Sequence, residues 1–409
     1  MRLLILSNYF TPDLSAGSFR MQAFVEALAP YALQGLEVDL ITTLPNRYAS
    51  LRAEAPSFED RGWLRIHRIA LPAHQGGMAD QARVYLRYAM AVRRLTKGKR
   101  WDLVFATSSR LMTAALGANL ARRIGAPLYL DIRDLFTLNM DELLANSPLR
   151  LLLPVFRLLE RRSLRAASRI NVVSEGFLPQ IHAVAPGVPV SCFTNGIDDL
   201  FLVEDYKRAH ARAGLPLVLY AGNMGEGQGL HRIVPAVAKA MAGRVQFRLI
   251  GDGGKRRELE QALARADVSN VELLPPVSRT DLIAHYREAD ILFLHLNDLE
   301  AFRKVLPSKL FEYAATGKPI AAGVAGHAAD FIAANISDAS VFAPCDAQGM
   351  VQAIEKCVSA GERAPLSRTD FIARFSRRNL MRELAAEVLQ LAGSDKARDG
   401  LLSVSSTRG

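Results

Sequence analysis

Lys309 and Glu312 are the residues whose types and spacing point most directly to chemistry. They lie in LPSKLFEYAATGKPIAAG, residues 306–323, which predicts a short helix opened by Pro307 and Ser308. The helix N-terminus offers unpaired N–H groups and a positive dipole end, and Lys309 adds an ammonium, so this end suits phosphate. Glu312, about 5 Å further along the helix, can accept two hydrogen bonds from a ribose diol. The pattern indicates a nucleoside diphosphate site. An ordinary capped helix with an exposed Lys–Glu pair is the alternative.

The first half of the chain alternates short apolar strands with helical stretches. The run LLILS, residues 3–7, is typical of a strand buried on both faces of a parallel sheet. A loop and a helix over 18–29 follow, with Gly17 at the mouth of the helix, where backbone can approach a ligand. This order of elements indicates a doubly wound parallel sheet. Further strands are predicted at 37–42, 64–70, 102–107, 128–132, 170–174 and 190–193.

The same pattern begins again in the second half, with strands predicted at 217–222, 245–250, 271–274, 291–295, 320–323 and 340–343. The sequence therefore predicts an α/β protein with two Rossmann-like, doubly wound domains facing a central cleft, where strand ends bind ligands. The predicted domains are 1–196 and 204–375, joined by the turn-rich TNGIDDLFLVE. We expect a C-terminal helix over 376–392, which can return to the first domain, and a disordered tail over 393–409.

Composition restricts the cellular setting. Half of the 409 residues are hydrophobic, and the three cysteines stand in no metal or redox spacing, which indicates a reducing compartment. The opening MRLLILSNYFTP does not resemble a signal peptide, and no uncharged apolar run approaches the roughly 20 residues that span a bilayer. We expect a cytoplasmic protein, either soluble or peripheral to a membrane.

The net charge of +10 calls for an anionic partner. Much of the basic charge lies in two helical segments, 83–100 and 148–169, where an apolar side adjoins several arginines. Such basic amphipathic helices suit an anionic membrane surface, although a solvated face over a buried stripe is the alternative. Nucleic acid is not expected as a partner, because the basic residues are not interleaved with stacking aromatics.

The two-domain pattern and four motifs in order resemble the retaining GT-B glycosyltransferases of family 4. The motifs are NGID, YAGN followed by GL, GDGG, and PSKLFEYAATGKPI, and the resemblance runs from Met1 to about Gln390. The closest resemblance is to bacterial enzymes that extend lipid-linked O-antigen or capsule units, including N-acetylfucosamine transferases. It implies a nucleotide-diphosphate sugar donor, with UDP favoured, and a polyprenyl-diphosphate-linked glycan acceptor. It implies no metal and no cofactor other than the donor.

The resemblance also assigns residues to the donor. Glu312 matches the glutamate that holds the donor ribose. Gly17 matches the N-terminal glycine loop that approaches the same phosphates. The remaining donor-binding positions are Pro307, Ser308, Lys309 and Leu310 at the diphosphate, Asn223 in the loop after YAG, and Gly251, Gly253 and Val277 near the base.

This chain departs from the family pattern in three places. The first glutamate of the family lies eight positions before the second, where this chain has Lys304. After YAG the family tends to place Arg and Lys, where this chain has Asn223 and Gln228. Lys304 and Lys309 can supply cationic charge from the opposite wall. A histidine that is frequent in the family is replaced by Asp131.

Asp131, Arg133 and Asp134 close a central strand of the N-terminal domain, where α/β proteins keep functional groups. In the family this neighbourhood lies by the acceptor and the transferred sugar, so we expect these residues, with Glu312, to be catalytic. A local ion-pair cluster that steadies a loop is the alternative. No acid–base pair is apparent. This fits a retaining enzyme in which the departing diphosphate oxygen deprotonates the acceptor. The eight histidines show no metal-binding spacing.

The leading interpretation is a sugar transferase of cell-surface polysaccharide synthesis, working at the inner face of the plasma membrane. Two other functions are open. A nucleotide-sugar 2-epimerase shares the fold, but it needs carboxylates and a histidine converging on the donor sugar, and we find no matching set. A non-catalytic scaffold in a membrane assembly is favoured by the loss of the loop cations and of the first glutamate.

Overall fold

The computed structural model describes residues 1–13, 15–45, 54–71, 78–108, 111–143, 148–202, 206, 214–360 and 368–405. The chain divides into two units. Unit 1 comprises Met1–Asn195 together with Arg377–Gly409, and unit 2 comprises Gly196–Ser376. Each unit has its own parallel sheet.

Unit 1 contains an eight-stranded sheet in the order β3-β4-β2-β1-β5-β6-β7-β8, in which all neighbours are parallel except β3 and β4. The first strand is central because its apolar run is buried on both faces: Leu3 pairs with Val38 on one side and with Leu103 on the other. The strands are β1 Arg2–Leu6, β2 Glu37–Thr43, β3 Phe58–Asp60, β4 Leu64–Ile69, β5 Leu103–Thr107, β6 Leu128–Ile132, β7 Arg169–Val172 and β8 Val190–Cys192.

Helices connect these strands. The aromatic core beneath the first helix is stacked, with the ring centroids of Phe24 and Phe105 4.6 Å apart and those of Phe105 and Tyr129 5.5 Å apart. The helices are α1 Ala16–Leu28, α2 Met78–Leu95, α3 Leu111–Ile124, α4 Phe136–Leu143, α5 Leu153–Arg165 and α6 Leu178–Val184, with 3₁₀ helices at Ala29–Gln34, Pro148–Leu152 and Glu175–Phe177.

Unit 2 contains a six-stranded parallel sheet in the order β11-β10-β9-β12-β13-β14. The strands are β9 Leu217–Ala221, β10 Gln246–Ile250, β11 Val271–Leu274, β12 Ile291–His295, β13 Ile320–Gly323 and β14 Ala339–Phe342. The helices are α7 Leu230–Ala240, α8 Arg256–Ala266, α9 Arg279–Glu288, α10 Ser308–Ala315, α11 His327–Asn335, α12 Ala347–Ala360 and α13 Thr369–Arg374, with 3₁₀ helices at Asp199–Phe201, Glu226–Gln228 and Glu300–Lys304.

The last helix, α14 Arg377–Ser405, packs against α1 in unit 1. Its buried side chains, Met381, Leu384, Ala385 and Val388, belong to the same core cluster as strands β1, β2 and β5. The helix continues through residues 393–405, where the composition predicts a disordered tail, because extending an existing helix is easier than nucleating one.

The predicted fold class, two Rossmann-like α/β domains with parallel sheets, is confirmed. Strand β3 was not anticipated: it is three residues long, and Glu59 and Asp60 interrupt any apolar pattern. The basic segment 83–100 belongs to a helix that begins at Met78 and ends at Leu95, before the turn at Gly98 with φ +72°. Segment 148–169 contains the 3₁₀ turn Pro148–Leu152 and then α5.

Candidate active site

The strand order of unit 2 places β9 beside β12, so the chain leaves these neighbouring strands in opposite directions across the sheet. Ligands of doubly wound folds bind outside the carboxyl ends of the strands at such a switch point. The loop 222–229 follows β9, and the segment leading to α10 follows β12. The predicted donor residues therefore gather at one edge of the sheet of unit 2.

Helix α10 presents its N-terminal end there because its opposite face is buried. Leu310 and Phe311 pack in the core, whereas Lys309 and Glu312 are half-buried on the other face. Pro307 precedes the helix, and no side chain caps its first turn. The position of Leu310 differs from the expectation: its side chain is in the core and its N–H donates to the carbonyl of Pro307 (3.1 Å), so it offers nothing to a ligand.

Lys309 reaches from α10 to the loop after β9. Its Nζ lies 5.2 Å from the ring centroid of Tyr220, and a Cβ atom at Gly222 would overlap the ammonium. Gly222 has φ +148°, a conformation that favours glycine. The absence of a side chain at Gly222 is therefore what lets the ammonium lie against the backbone of this loop.

The close packing of two loops explains why residues 251 and 253 are glycines. A Cβ atom at Gly251 would overlap the carbonyl of Gly222, and one at Gly253 would overlap the backbone of Met224. The two loops also exchange backbone hydrogen bonds, among them Met224 N–H to the carbonyl of Asp252 (2.8 Å). Both glycines thus permit the loops after β9 and β10 to pack backbone against backbone. Val277, also predicted at this site, is half-buried against the core.

Two neutral side-chain amides hold the loop after β9 together by hydrogen bonds. Asn223 donates through Nδ2 to Oε1 of Gln228 (2.7 Å), and the same oxygen accepts from the N–H of Gly225 (3.2 Å). These are the positions where the resembled family tends to have cations. Within this loop the amide pair therefore supplies rigidity, and the ammonium comes from Lys309 on α10.

His295, at the end of β12, holds the same loop, and sequence reasoning had not assigned it this role. Its Nδ1 donates to the carbonyl of Gln228 (2.6 Å), and its Nε2 accepts from the N–H of Cys345 (2.9 Å). Both contacts fit one neutral tautomer. Burial lowers the pKa of His295 to about 4, although the hydrogen bond to Gln228 opposes this shift.

Glu312 is surrounded by tyrosines that the sequence did not single out. Tyr286, fully buried on α9, donates its hydroxyl to Oε2 of Glu312 (3.4 Å). Burial, and then the charge on Glu312, raise the pKa of Tyr286 well above its usual value. The same two causes raise the pKa of Tyr206 to about 12. Neutral phenols thus face the carboxylate.

In unit 1, Asp131 is not available to a substrate. The carboxylate is completely buried and accepts a bidentate pair from Arg20, Nη2 to Oδ1 (2.9 Å) and Nε to Oδ2 (3.1 Å). Asn171 donates to the same carboxylate (2.7 Å), and Nη1 of Arg20 donates to the carbonyl of Thr194 (2.6 Å). The carboxylate of Asp131 thus accepts three hydrogen bonds within unit 1 and is shielded from solvent, which favours the ion-pair alternative over a catalytic role.

Arg133, which the sequence assigns to the neighbourhood of the acceptor, lies beside Gly17, which it assigns to the donor phosphates. A Cβ atom at Gly17 would lie 3.8 Å from Cζ of Arg133, beside the N-terminus of α1, whose cap is Ser15. Nη1 of Arg133 is buried without a hydrogen-bond partner among the described residues. Burial, and then the charge of Arg20, lower the pKa of Arg133 to about 10. Asp134 is exposed next to it. This arrangement suits an anion.

Helix α5 carries apolar residues on its exposed face. Val155 is 60% exposed, and Leu152 at the end of the preceding 3₁₀ helix is exposed to a lesser extent, whereas Phe156 and Leu159 are half-buried. The ring of Phe156 contacts Phe136 edge to face, with centroids 5.4 Å apart. Arginines 157, 161, 162 and 165 are exposed on the same helix.

In the described parts of the chain no helix is long and apolar enough to cross a bilayer. In the same parts, no three His, Cys, Asp or Glu side chains converge as a metal site requires.

Solved structures and one curated sequence resemble this chain. Sucrose-phosphate synthase from Thermosynechococcus elongatus aligns with a TM-score of 0.73 at 15% identity, over 96% of this chain and 99% of that one. HepE from Anabaena, in complex with UDP, aligns with a TM-score of 0.66 at 15% identity, over 95% and 100%. WcaI of Escherichia coli K12, a glycosyl transferase named for colanic acid biosynthesis, is 32% identical over 101 residues, only 25% of this chain and 25% of that protein.

Two family models match in sequence order. One, described as a glycosyl transferase 4-like domain, matches residues 20–196, and the other, described as glycosyl transferases group 1, matches residues 215–360. The first range falls on the strands and helices of unit 1, and the second on the sheet of unit 2. The chain therefore belongs to the glycosyltransferases that pair a 4-like domain with a group 1 domain in the GT-B fold.

Proposed function

We propose that this glycosyltransferase transfers a sugar from a UDP-linked donor to a polyprenyl-diphosphate-linked glycan, with retention of anomeric configuration. The product is a unit of cell-surface polysaccharide such as O-antigen or capsule. The observation that carries the proposal is the placement of Lys309 and Glu312 on the accessible face of α10, beside the glycine loop at the switch point of unit 2.

The donor site and a nucleoside diphosphate have complementary chemistry. The ammonium of Lys309 and the uncapped first turn of α10 attract a diphosphate, and the carboxylate of Glu312 accepts hydrogen bonds from a diol. Tyr286 donates to that carboxylate and thereby holds one of its oxygens. A UDP complex of HepE, which has a similar fold, supports uridine diphosphate as the ligand.

The acceptor argument rests on unit 1. The buried guanidinium of Arg133 suits an anionic group, and Asp134 next to it is exposed to contact the hydroxyls of a sugar. The glycan of a lipid-linked acceptor would supply such hydroxyls. The match to part of a glycosyl transferase named for colanic acid biosynthesis supports a polysaccharide acceptor. Because a polyprenyl tail stays in the bilayer, the enzyme would work at the inner face of the plasma membrane.

In the proposed reaction the acceptor oxygen forms a bond to the anomeric carbon as the bond from that carbon to the diphosphate oxygen breaks. The proton of the acceptor hydroxyl passes to the departing diphosphate oxygen on the same face. Lys309 and the N-terminus of α10 stabilise the charge that develops on the diphosphate, so no side chain has to act as a base. The proposal includes no metal.

Calorimetry and product analysis test this function. We expect UDP to bind with micromolar affinity and GDP more weakly, and uridine to bind far more weakly than UDP. Incubation with UDP-sugars and a polyprenyl-diphosphate glycan should yield a product with the anomeric configuration of the donor, as read by NMR coupling constants, and EDTA should not reduce the rate. An inverted product, or turnover that depends on an added divalent metal, would contradict the proposal.

A non-catalytic scaffold is the second candidate, and one observation favours it: the amide pair of Asn223 and Gln228 occupies the loop where the resembled enzymes tend to have cations. A scaffold retains the fold but neither binds UDP nor hydrolyses a sugar nucleotide. The absence of both activities across a panel of nucleotide sugars would favour this candidate.

A further inference from the structure

A groove of about 1040 Å³ lies on unit 1 between the second half of α2 and α3. All of its charged lining residues are cationic: six are Lys or Arg, and none is Asp or Glu. The six basic residues are Arg93, Arg94, Lys97, Lys99, Arg100 and Arg123, and all are exposed.

The six basic residues give this groove a concentrated positive charge. Among the residues that the structure describes, none of the six forms an ion pair. Elsewhere in unit 1 arginines are matched: Arg65 pairs with Glu37 (3.0 Å) and Asp39 (2.8 Å), and Arg169 pairs with Glu387 (2.7 Å). Because clustered like charges repel one another, this surface is complementary to an anion outside the chain.

Apolar side chains border the same groove. Leu86 is 58% exposed and Met90 is 59% exposed, and their spacing of four residues places them on one face of α2. No aromatic residue lines the groove, so bases of a nucleic acid would find nothing to stack on. Exposed aliphatic residues beside unpaired cations are typical of a helix that lies in a membrane interface.

The groove is remote from the proposed acceptor residues of unit 1. Lys97, Lys99 and Arg100 precede β5, and Arg123 ends α3 just before β6, so the basic residues lie at the amino-terminal edge of the sheet. Arg133 follows the carboxyl end of β6, at the opposite edge. A ligand in the groove would therefore not occupy the site of sugar transfer.

We infer that this groove binds the head group of an anionic phospholipid in a bilayer, with the phosphate among the six cations and Leu86 and Met90 at the acyl boundary. The inference deepens the proposed membrane location, on which it rests, by naming the surface and the lipid class. It does not depend on the identity of the sugar or of the nucleotide.

The test is sedimentation of the full chain with vesicles of phosphatidylglycerol and phosphatidylcholine, compared with phosphatidylcholine alone. The groove variant changes Arg93, Arg94, Lys97 and Arg100 to Gln. Its matched control changes four exposed cations of unit 2, Lys239, Arg257, Arg265 and Lys356, to Gln, which gives the same net charge. We expect the groove variant to bind anionic vesicles at least about a hundredfold more weakly than the wild type, and the control to change by less than about tenfold.

A second variant, Leu86→Ser with Met90→Ser, isolates the apolar contribution and should also bind more weakly at unchanged charge. Circular dichroism establishes that each variant is folded, and UDP calorimetry reports separately on the proposed function. Equal losses in groove and control variants would overturn the inference, because net charge alone would then explain binding. Failure of the wild type to sediment with anionic vesicles, or equal binding to neutral vesicles, would overturn it as well.

Discussion

The hydroxyl of Tyr286 lies 3.4 Å from Oε2 of Glu312 and donates to it from a fully buried position on α9. The carboxylate thus has one oxygen directed inward, while its side chain remains half-buried at the accessible face of α10. A carboxylate held in this way loses little rotational freedom when it binds a ligand. This relationship supports the assignment of Glu312 to the ribose.

Glu312→Gln tests that assignment. The substitution keeps the size of the side chain but replaces a charged acceptor by a neutral amide. Because a hydrogen bond to a charged group contributes about 1.5–3 kcal/mol, we expect UDP affinity to fall at least tenfold by calorimetry. Glu300→Gln, at an exposed residue of the same unit, is the control and should bind UDP normally. An unchanged dissociation constant for Glu312→Gln would remove Glu312 from the site.

Lys309→Ala tests the phosphate contact. The change removes the ammonium that lies against Gly222, so UDP should lose far more affinity than uridine, by at least about tenfold. The measurement is the ratio of the two dissociation constants. Equal losses for both ligands would show that Lys309 supports the packing of α10 and does not contact phosphate.

Gly222→Ala should displace the same ammonium without removing it. The new Cβ would overlap Nζ of Lys309, and the backbone at φ +148° resists an L side chain. We expect weaker UDP binding and a loss of about 1–3 kcal/mol in the free energy of unfolding. Gly254→Ala is the matched control, because no atom lies within 4 Å of its added Cβ. Wild-type UDP binding by Gly222→Ala would show that the position of Lys309 is not critical.

The sequence predicted the strands of unit 2 well because β9, β12 and β13 are nearly continuous apolar runs, and it predicted that Lys309 and Glu312 share one side of a helix because helical spacing is local. It could not predict the tyrosines around Glu312, since Tyr286 reaches that carboxylate from another helix, a contact that depends on tertiary packing. For the same reason it could not decide the role of Asp131. The residue that forms the ion pair with this carboxylate, Arg20, lies 111 positions away in the chain.

The arginines of α5 provide a further test of the membrane location. Changing Arg157, Arg161, Arg162 and Arg165 to Gln should weaken sedimentation with anionic vesicles, because each cation near such a surface contributes about 1 kcal/mol. Exposure of Leu152 and Val155 next to them supports this expectation. UDP calorimetry should give the wild-type affinity. Undiminished sedimentation would show that α5 is solvated and that the contact lies elsewhere.

His295 should make stability depend on pH. Its pKa is about 4 in the folded chain and about 6.5 when unfolded, so the unfolded state binds the extra proton first as pH falls. Its contribution is fully present above pH 6.5 and is lost progressively towards pH 4. Between pH 7 and pH 5 this corresponds to about 2 kcal/mol. Urea unfolding of His295→Gln should show a smaller loss over that interval than the wild type. Equal slopes would contradict the assignment.

The chain returns to unit 1 only after it has passed through unit 2, and the two ends of unit 2 lie together because Ile197 pairs with Ser376 and donates to the carbonyl of Phe375 (2.7 Å). Helix α14 supplies Met381, Leu384 and Val388 to the core of unit 1, yet it is synthesised only after the whole of unit 2. Domains generally fold as units during synthesis. Unit 2 can therefore finish folding while the apolar side chains of α1 and β1 that α14 covers are still exposed to solvent.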